Sequence, residues 1–204
     1  MKQATRKKLS GSEVEQIMYP LEWVEEFKRD GFPRVWLSDF PELFEESNGV
    51  HKPYCLPRPD SHGSYGFADY ALMYLLRKHE GICSTTYFEI GLKAKKSKPK
   101  AKARRDSVQG KLRRWMGNAD FERLQQALWD TGKKTYKGEP DLFCWYPDSG
   151  EWFFAEAKSP TDTVKEGQEE WWKVCRKTFP NVRIVTYYLS PDLTAGDPVT
   201  PTQP

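Results

Sequence analysis

The sequence predicts an α/β protein in which helices flank a central mixed sheet, preceded by an N-terminal helical extension. Residues 142–146 and 152–158 are apolar and aromatic runs separated by turn residues, which is the pattern of a β-hairpin. Apolar residues recur at spacings of three and four over 119–129 and 163–179, so a helix is expected on either side of the hairpin. Another apolar run, 181–189, completes the order helix, strand, strand, helix, strand.

One face of the predicted hairpin carries charged side chains. Because side chains alternate along a strand, Phe154, Glu156 and Lys158 share one face of the second strand. Asp141 stands at the start of the first strand, where pairing across the turn brings it close to Glu156. Two neighbouring carboxylates repel each other unless a cation is present, and Mg²⁺ prefers oxygen ligands. The hairpin therefore predicts a divalent-metal site with an ammonium beside it, the equipment for phosphodiester hydrolysis.

The helix after the hairpin presents a polar residue toward this site. Gln168, Trp171, Trp172 and Cys175 recur at i, i+3, i+4 and i+7 and therefore lie on one helix face. Gln168 is at the N-terminal end of that face, nearest the hairpin. We expect it to hold Lys158, a water molecule or a phosphate. The alternative is a half-buried amide whose hydrogen bonds go to the backbone.

The N-terminal third of the chain is predicted to be helical, with one long loop. Residues 12–29 indicate a helix that is broken or restarted at Pro20, and 36–48 a shorter helical piece. Residues 50–66 are rich in Pro, Gly, Ser and His and predict a loop. A helix with an apolar stripe is expected over 67–79.

Ten residues in order match a known pattern: Gly-x-Pro-Asp-Leu, a hairpin, Glu-x-Lys-x-Pro, an Asp, then a helix carrying Gln and Trp. They are Gly138, Pro140, Asp141, Leu142, Glu156, Lys158, Pro160, Asp162, Gln168 and Trp171 or Trp172. Over about 121–189 the chain resembles the VRR-NUC family of the PD-(D/E)XK nuclease superfamily. That family includes the nuclease domain of Fanconi-associated nuclease and short phage and bacterial proteins. Among the departures, Glu139 stands at a usually apolar position and would add negative charge near the metal.

The resemblance implies a restriction-endonuclease-like core and a metal-dependent endonuclease that hydrolyses DNA, with a preference for branched, flapped or otherwise structured substrates. It implies that Mg²⁺ or Mn²⁺ is held by Asp141, Glu156 and the backbone carbonyl of Ala157. Lys158 would position water and stabilise charge, and Gln168 would brace the site. The alternatives are a non-catalytic DNA-binding or assembly subunit that retains the nuclease fold, and an RNA-directed nuclease.

The resemblance also implies a further carboxylate ligand from an upstream helix. Glu80 resembles the corresponding element in some members, and Glu122 is its rival. Asp69 and Glu89 are weaker candidates. Short relatives often dimerise, so a homodimer is a further expectation.

The chain is expected to divide into an extension over 1–66, a nuclease domain over 67–190 and a disordered tail over 191–204. Within the middle part, 93–114 holds eleven basic residues and one acid, and the rest of the chain then holds 21 basic and 28 acidic residues. We predict a basic loop that contacts DNA phosphates, the alternative being a solvated loop. The basic residues are Lys93, Lys95, Lys96, Lys98, Lys100, Lys102, Arg104, Arg105, Lys111, Arg113 and Arg114.

Composition favours an intracellular protein. The 204 residues include four cysteines without a CxxC pair, which fits a reducing compartment better than a disulfide scaffold. No run has the apolar length of a membrane helix, and no hydrophobic stretch follows the basic N-terminus as in a signal peptide.

Overall fold

The computed structural model describes residues 13–43, 66–86, 88–91, 99–132, 138–159 and 162–192. The strands of this part are β1 (Glu13–Pro20), β2 (Cys83–Thr86), β3 (Leu142–Trp145), β4 (Trp152–Lys158) and β5 (Ile184–Asp192). Its helices are α1 (Glu22–Asp30), α2 (Arg34–Asp39), α3 (Phe67–Glu80), α4 (Pro99–Met116), α5 (Asn118–Asp130) and α6 (Glu166–Thr178). None of these helices is long and apolar enough to cross a membrane.

The strands form one mixed sheet in the order β1-β5-β4-β3-β2. β1, β5 and β4 run parallel to one another, whereas β3 is antiparallel to both of its neighbours, β4 and β2. Helices cover both faces, so the α/β prediction of a mixed sheet flanked by helices is confirmed. The predicted hairpin is β3 and β4, and the predicted flanking helices are α5 and α6.

Two apolar cores lie on opposite faces of the sheet. The first packs α1, α2 and α3 against the sheet and receives Phe153, Ala155 and Ala157 from β4. The second packs α4, α5 and α6 and receives Phe154. The alternation predicted for β4 is therefore confirmed, and Glu156 and Lys158 lie on the α6 face. Both are buried between sheet and helix.

The helix predicted over 12–29 is wrong in its first half, because 13–20 is the strand β1. Ile17 and Tyr19 pack on the first core at a spacing of two, which a strand satisfies and a helix does not. β1 pairs with β5 along its whole length. The predicted extension over 1–66 therefore supplies an edge strand of the central sheet.

The basic loop predicted over 93–114 is also wrong from Pro99 onward, because these residues begin α4. Proline is tolerated at the first turn of a helix, where its missing N–H has no intrahelical partner to lose. Val108, Leu112 and Met116 then recur at a spacing of four and are buried. Residues 93–98, residues 50–65 of the loop expected over 50–66, and the tail from 193 lie outside the described residues. Residues 191–192, predicted to begin the tail, belong to β5.

Candidate metal centre

The two predicted carboxylates meet at one end of the hairpin. Leu142 pairs with Ala155, which places the preceding Asp141 opposite Glu156. Asp141 Oδ2 accepts a hydrogen bond of 2.8 Å from the backbone N–H of Ala157. This bond fixes Asp141 against β4, the strand that carries Glu156.

A close backbone contact brings α6 to the same place. A Cβ atom built on Gly138 would overlap the backbone of Gly167 and approach the backbone nitrogen of Gln168. Only glycine fits there, because the chain entering β3 lies directly against the first turn of α6. This contact explains the glycine of the Gly-x-Pro-Asp pattern and sets Gln168 beside β4.

Gln168 connects the two charged residues of β4. Its Nε2 donates to Glu156 Oε1, and its Oε1 accepts from Lys158 Nζ at 3.3 Å. The same Oε1 accepts from the backbone N–H of Lys165 at 3.0 Å, at the start of α6. Both interpretations made from the sequence therefore hold together: Gln168 contacts Lys158 and also satisfies a backbone donor.

Burial dominates the electrostatics of Glu156. Burial, and after it the neighbouring charge of Asp141, raise its pKa well above the ordinary value, although Lys158 acts to lower it. Lys158 Nζ lies 2.5 Å from Glu156 Oε1. Burial acts to lower the pKa of Lys158, but Glu156 and then Asp141 and Asp162 outweigh it, so that pKa is raised. Lys158 is therefore an ammonium at neutral pH.

The arrangement has two acids and one ammonium in a buried place. Burial raises the pKa of Asp141, and the Ala157 N–H and Lys158 offset only part of that effect. Glu156 Oε2 is buried and accepts no hydrogen bond from an N–H group in the described structure, while a carboxyl–carboxyl contact with Glu156 acts to lower the pKa of Asp141. A buried oxygen without an N–H donor is costly. These two carboxylates therefore fit a hard divalent cation, which would satisfy that oxygen and offset the excess negative charge.

A third carboxylate, Asp69 in the first turn of α3, acts on Glu156 through its charge. It contributes less to the raised pKa of Glu156 than burial and Asp141 do. Even so, no group of three His, Cys, Asp or Glu within the described ranges is arranged to hold a metal ion by itself. Sequence reasoning ranked Asp69 low because its proximity depends on how α3 packs across the sheet, which no local pattern encodes.

The structure does not bring Glu80 or Glu122 to the centre. Glu80 ends α3 and is exposed, about 16 Å along the helix from Asp69 at 1.5 Å per residue. Its charge acts on Glu15, Cys144 and Tyr187 instead. Glu122 is exposed on α5 and pairs with Arg113 at 3.0 Å. Neither residue is among the groups that shift the pKa of Asp141 or Glu156, so the structure does not support either as a further ligand, and that role stays a prediction.

Glu139 does not add charge to the centre, contrary to expectation. Its carboxyl group accepts a hydrogen bond of 2.8 Å from the backbone N–H of Gly91, in the segment 88–91. Burial raises the pKa of Glu139 to about 8, so the group is mostly protonated at neutral pH. Glu139 therefore links the segment that precedes β3 to the segment 88–91 through this hydrogen bond.

Several residues of the predicted basic arm are engaged within the protein. Arg105 is 8% exposed and lies 3.8 Å from Glu89. Lys102 pairs with Asp106 at 2.6 Å, and Arg113 also lies over the ring of Phe121. Arg114 lies over Trp115, and Lys111 lines a cavity beside β2. For Lys100 and Arg104 only the backbone is described, and Lys93, Lys95, Lys96 and Lys98 lie outside the described residues.

Comparison with family models finds a match in this region. Residues 101–186, fewer than half of the chain, match the model of the VRR-NUC domain, and over this segment the chain is similar to that family. The limits of the match enclose Asp141, Glu156, Lys158 and Gln168, and they run from α4 into β5. β1, α1, α2, α3 and β2 precede the matched segment.

Two further comparisons were made. A search of curated proteins found no match. Among solved structures, the chain is similar to a crystal structure of paFAN1 bound to a 2-nucleotide 5′-flap DNA with a gap, at 15% identity and a TM-score of 0.43. The alignment covers 68% of this chain and 37% of that one, so this chain spans little more than a third of the length of the solved protein.

Proposed function

We propose that this protein is a metal-dependent endonuclease that hydrolyses DNA phosphodiester bonds. The observation that carries the proposal is the pair of carboxyl groups, Asp141 and the buried Glu156, which lie side by side within the segment that matches the VRR-NUC model. A purely structural site would be expected to supply a donor to each buried carboxyl oxygen. A cation held by the two groups explains why Glu156 Oε2 has no N–H donor in the described structure.

The roles of the residues follow from their contacts. Asp141, Glu156 and the Ala157 carbonyl would hold Mg²⁺ or Mn²⁺, which when bound lowers the pKa of water and screens developing charge. Lys158 is charged and its head group is fixed by Glu156 and Gln168. It therefore orients water by hydrogen bonding or stabilises charge on a phosphate oxygen, rather than acting as a base. Gln168 is a positioning residue, since it contacts both Glu156 and Lys158.

The substrate class, the cellular location and the assembly belong to the same proposal. The VRR-NUC family acts on branched and flapped DNA, and the similar solved structure is a 5′-flap complex. We therefore propose structured DNA as the preferred substrate, an intracellular setting, and a homodimer as the assembly to test. Size-exclusion chromatography with light scattering measures the assembly independently of activity.

The decisive experiment compares cleavage of labelled duplex, flap, four-way and single-stranded DNA with Mg²⁺, Mn²⁺ or EDTA. We expect metal-dependent cutting that falls at least about 100-fold in Asp141→Asn and Lys158→Met, because each removes charge from the reacting centre. Asp148→Asn, on the exposed turn between β3 and β4, is the matched control and should cut like the parent.

Each contrary result has a specific meaning. Equal cutting by Asp141→Asn and the parent would refute the site. Tight, salt-sensitive DNA binding without cutting in either metal would favour a non-catalytic binding subunit. Cleavage of matched RNA in preference to DNA would favour the RNA-directed alternative.

A further inference from the structure

The end of β4 that carries the candidate metal centre is paired with β5 rather than with β3. Within the described residues, the ladder between β3 and β4 ends at Ala155, whereas the ladder between β4 and β5 continues to Lys158. Glu156 pairs with Thr186, and Lys158 pairs with Tyr188. The strand residues that flank Glu156 and Lys158 across a ladder therefore come from β5.

The face of β5 on which Tyr188 lies follows from its neighbours in the chain. Tyr187 and Leu189 pack in the first core, and Ile184 packs in the second. Since side chains alternate along a strand, Tyr188 lies on the α6 face, as Lys158 does. Neighbouring strands are about 4.8 Å apart, so the side chain of Tyr188 starts directly beside that of Lys158.

Tyr188 is buried, but it is not part of the hydrocarbon interior. It is 5% exposed, and neither of the two apolar cores of the described structure includes it. Its neighbours on the same face across the ladder are polar, because Glu156, Lys158 and Thr186 are all buried there. The ring of Tyr188 therefore borders the polar centre, and the methylene stem of Lys158 offers it apolar surface.

Lys158 is the member of this centre whose position needs support. Its ammonium group is carried by a flexible four-carbon stem. The nitrogen atom lies 2.5 Å from Glu156 Oε1 and 3.3 Å from Gln168 Oε1. Both contacts act at the end of the side chain and leave the rotamers of the stem to its neighbours. Tyr188 is the paired neighbour of that stem on the β5 side.

The burial of Tyr188 separates a positioning role from contact with substrate. An aromatic residue that stacks on nucleic-acid bases needs an open ring face. At 5% exposure the ring of Tyr188 has no such face in the free protein. Its effect on a bound substrate would therefore pass through Lys158.

We infer that Tyr188 is a positioning residue, whose ring confines the stem of Lys158 and so fixes the direction of the ammonium group. The effect on cleavage rests on the proposed function. The confinement of Lys158 is a property of the free protein and can be measured without cleavage.

Two leucine substitutions at adjacent positions separate positioning from stability. Tyr188→Leu removes the ring beside Lys158. Tyr187→Leu makes the same change one residue earlier, where the ring packs in the first core on the opposite face. Both variants lose buried aromatic surface and should melt at a lower temperature than the parent. Tyr188→Phe keeps the ring and is the conservative variant.

The first arm of the test observes the ammonium group of Lys158 by nuclear magnetic resonance, without DNA or metal. The protein carries isotope-labelled lysine, and the signal of Lys158 is assigned by its absence in Lys158→Met. We expect Tyr188→Leu to broaden or abolish this signal, because a less confined ammonium exchanges its protons with water more rapidly. Tyr188→Phe and Tyr187→Leu should keep the signal of the parent.

The second arm measures steady-state cleavage of the preferred DNA at a temperature at which every variant is folded. Tyr188→Leu should lower kcat about tenfold and leave KM unchanged, because a misdirected group loses contacts that it makes in the transition state. Tyr188→Phe should restore the kcat of the parent, and Tyr187→Leu should retain it.

Two results would overturn the positioning role. One is a Lys158 signal in Tyr188→Leu that matches that of the parent. The other is an equal loss of kcat in the two leucine variants, which would indicate a general effect of lost stability. A parent protein that cuts no DNA would refute the proposed nuclease, and the Lys158 signal would still decide whether Tyr188 confines the ammonium group.

Discussion

Glu156 uses one carboxylate oxygen for both Lys158 and Gln168, and its other oxygen accepts no hydrogen bond from an N–H group in the described structure. The sequence predicted the face on which Glu156 and Lys158 lie, because strand alternation is a local property. It also placed Gln168 at the end of the helix nearest to them, and it left open whether the amide contacts Lys158 or only the backbone. The approach of Asp69 could not be predicted, since it depends on packing between a helix and a strand far apart in the chain.

The protonation of Glu139 was likewise beyond sequence reasoning. Glu139 lies two residues before Asp141 in the sequence, and this proximity suggested a charged carboxylate beside the candidate metal site. Its actual contact is the backbone of Gly91, 48 residues away in the chain, in a place that disfavours ionisation. Burial, rather than sequence position, decides its charge.

Glu139→Gln should gain stability over the parent as pH rises. In the folded protein the pKa is raised to about 8 from a reference of 4.5. Between these values the folded state keeps a proton that the unfolded state has lost, so the parent loses stability as pH increases. Each pKa unit corresponds to about 1.4 kcal/mol, so the advantage of the variant should reach a few kcal/mol at pH 8 and vanish near pH 4.5.

Urea unfolding from pH 4.5 to 8.5 measures this effect. Glu151→Gln, on the exposed turn after β3, is the matched control and should follow the parent. A constant difference between Glu139→Gln and the parent across this range would contradict the protonated, buried state.

At the scale of elements, α5, β3, β4, α6 and β5 could all be predicted because each has a complete local pattern. β1 and α4 could not. β1 has too few apolar residues to show the alternation of a strand. The helical pattern of α1, which follows directly, therefore extended the helix prediction over it. α4 is so rich in lysine and arginine that its apolar pattern was missed. Val108, Leu112 and Met116 recur every four residues and form the buried face of this helix.

Gly138→Ala should disturb the start of α6. The added methyl group would overlap Gly167, and overpacking of this kind costs about 1–3 kcal/mol. Because Gln168 is next in the chain, we expect a loss of cleavage together with the loss of stability. Thermal unfolding and cleavage of the preferred DNA measure the two effects.

Gly110→Ala is the control, because a Cβ atom there meets nothing within 4 Å. Gly110 lies inside α4, where alanine should stabilise by about 0.5–1 kcal/mol. If Gly138→Ala were as stable and active as Gly110→Ala, the close contact with α6 would be refuted.

At the scale of the whole molecule, the predicted boundary between an extension and a nuclease domain crosses a continuous sheet. β1 pairs with β5 through eight residue pairs, and Trp23, Phe27 and Trp36 are buried against α3. Composition correctly suggested enough aromatic residues for a core. Composition could not show that aromatic residues from the first 40 positions complete the core on one face of β4.

A fragment that begins at residue 67 should therefore fail to fold cooperatively. It lacks β1 and exposes the face of α3 that Trp23, Phe27 and Trp36 cover. We expect loss of near-ultraviolet circular dichroism and of a sharp thermal transition. A variant shortened at residue 192 keeps every described residue and is the control. Cooperative unfolding of the fragment at the parent temperature would show that the first 66 residues are dispensable.

The burial of the ion pair of Glu156 and Lys158 has a consequence for how such a protein evolves. Loss of one partner leaves the other charge uncompensated and destabilises the fold, whereas replacement of both by well-packed hydrocarbon side chains is often stabilising. Relatives that have lost the whole pair would therefore be expected to withstand heat better than those that keep it. Thermal stability alone is thus a poor guide to which relatives retain the proposed site.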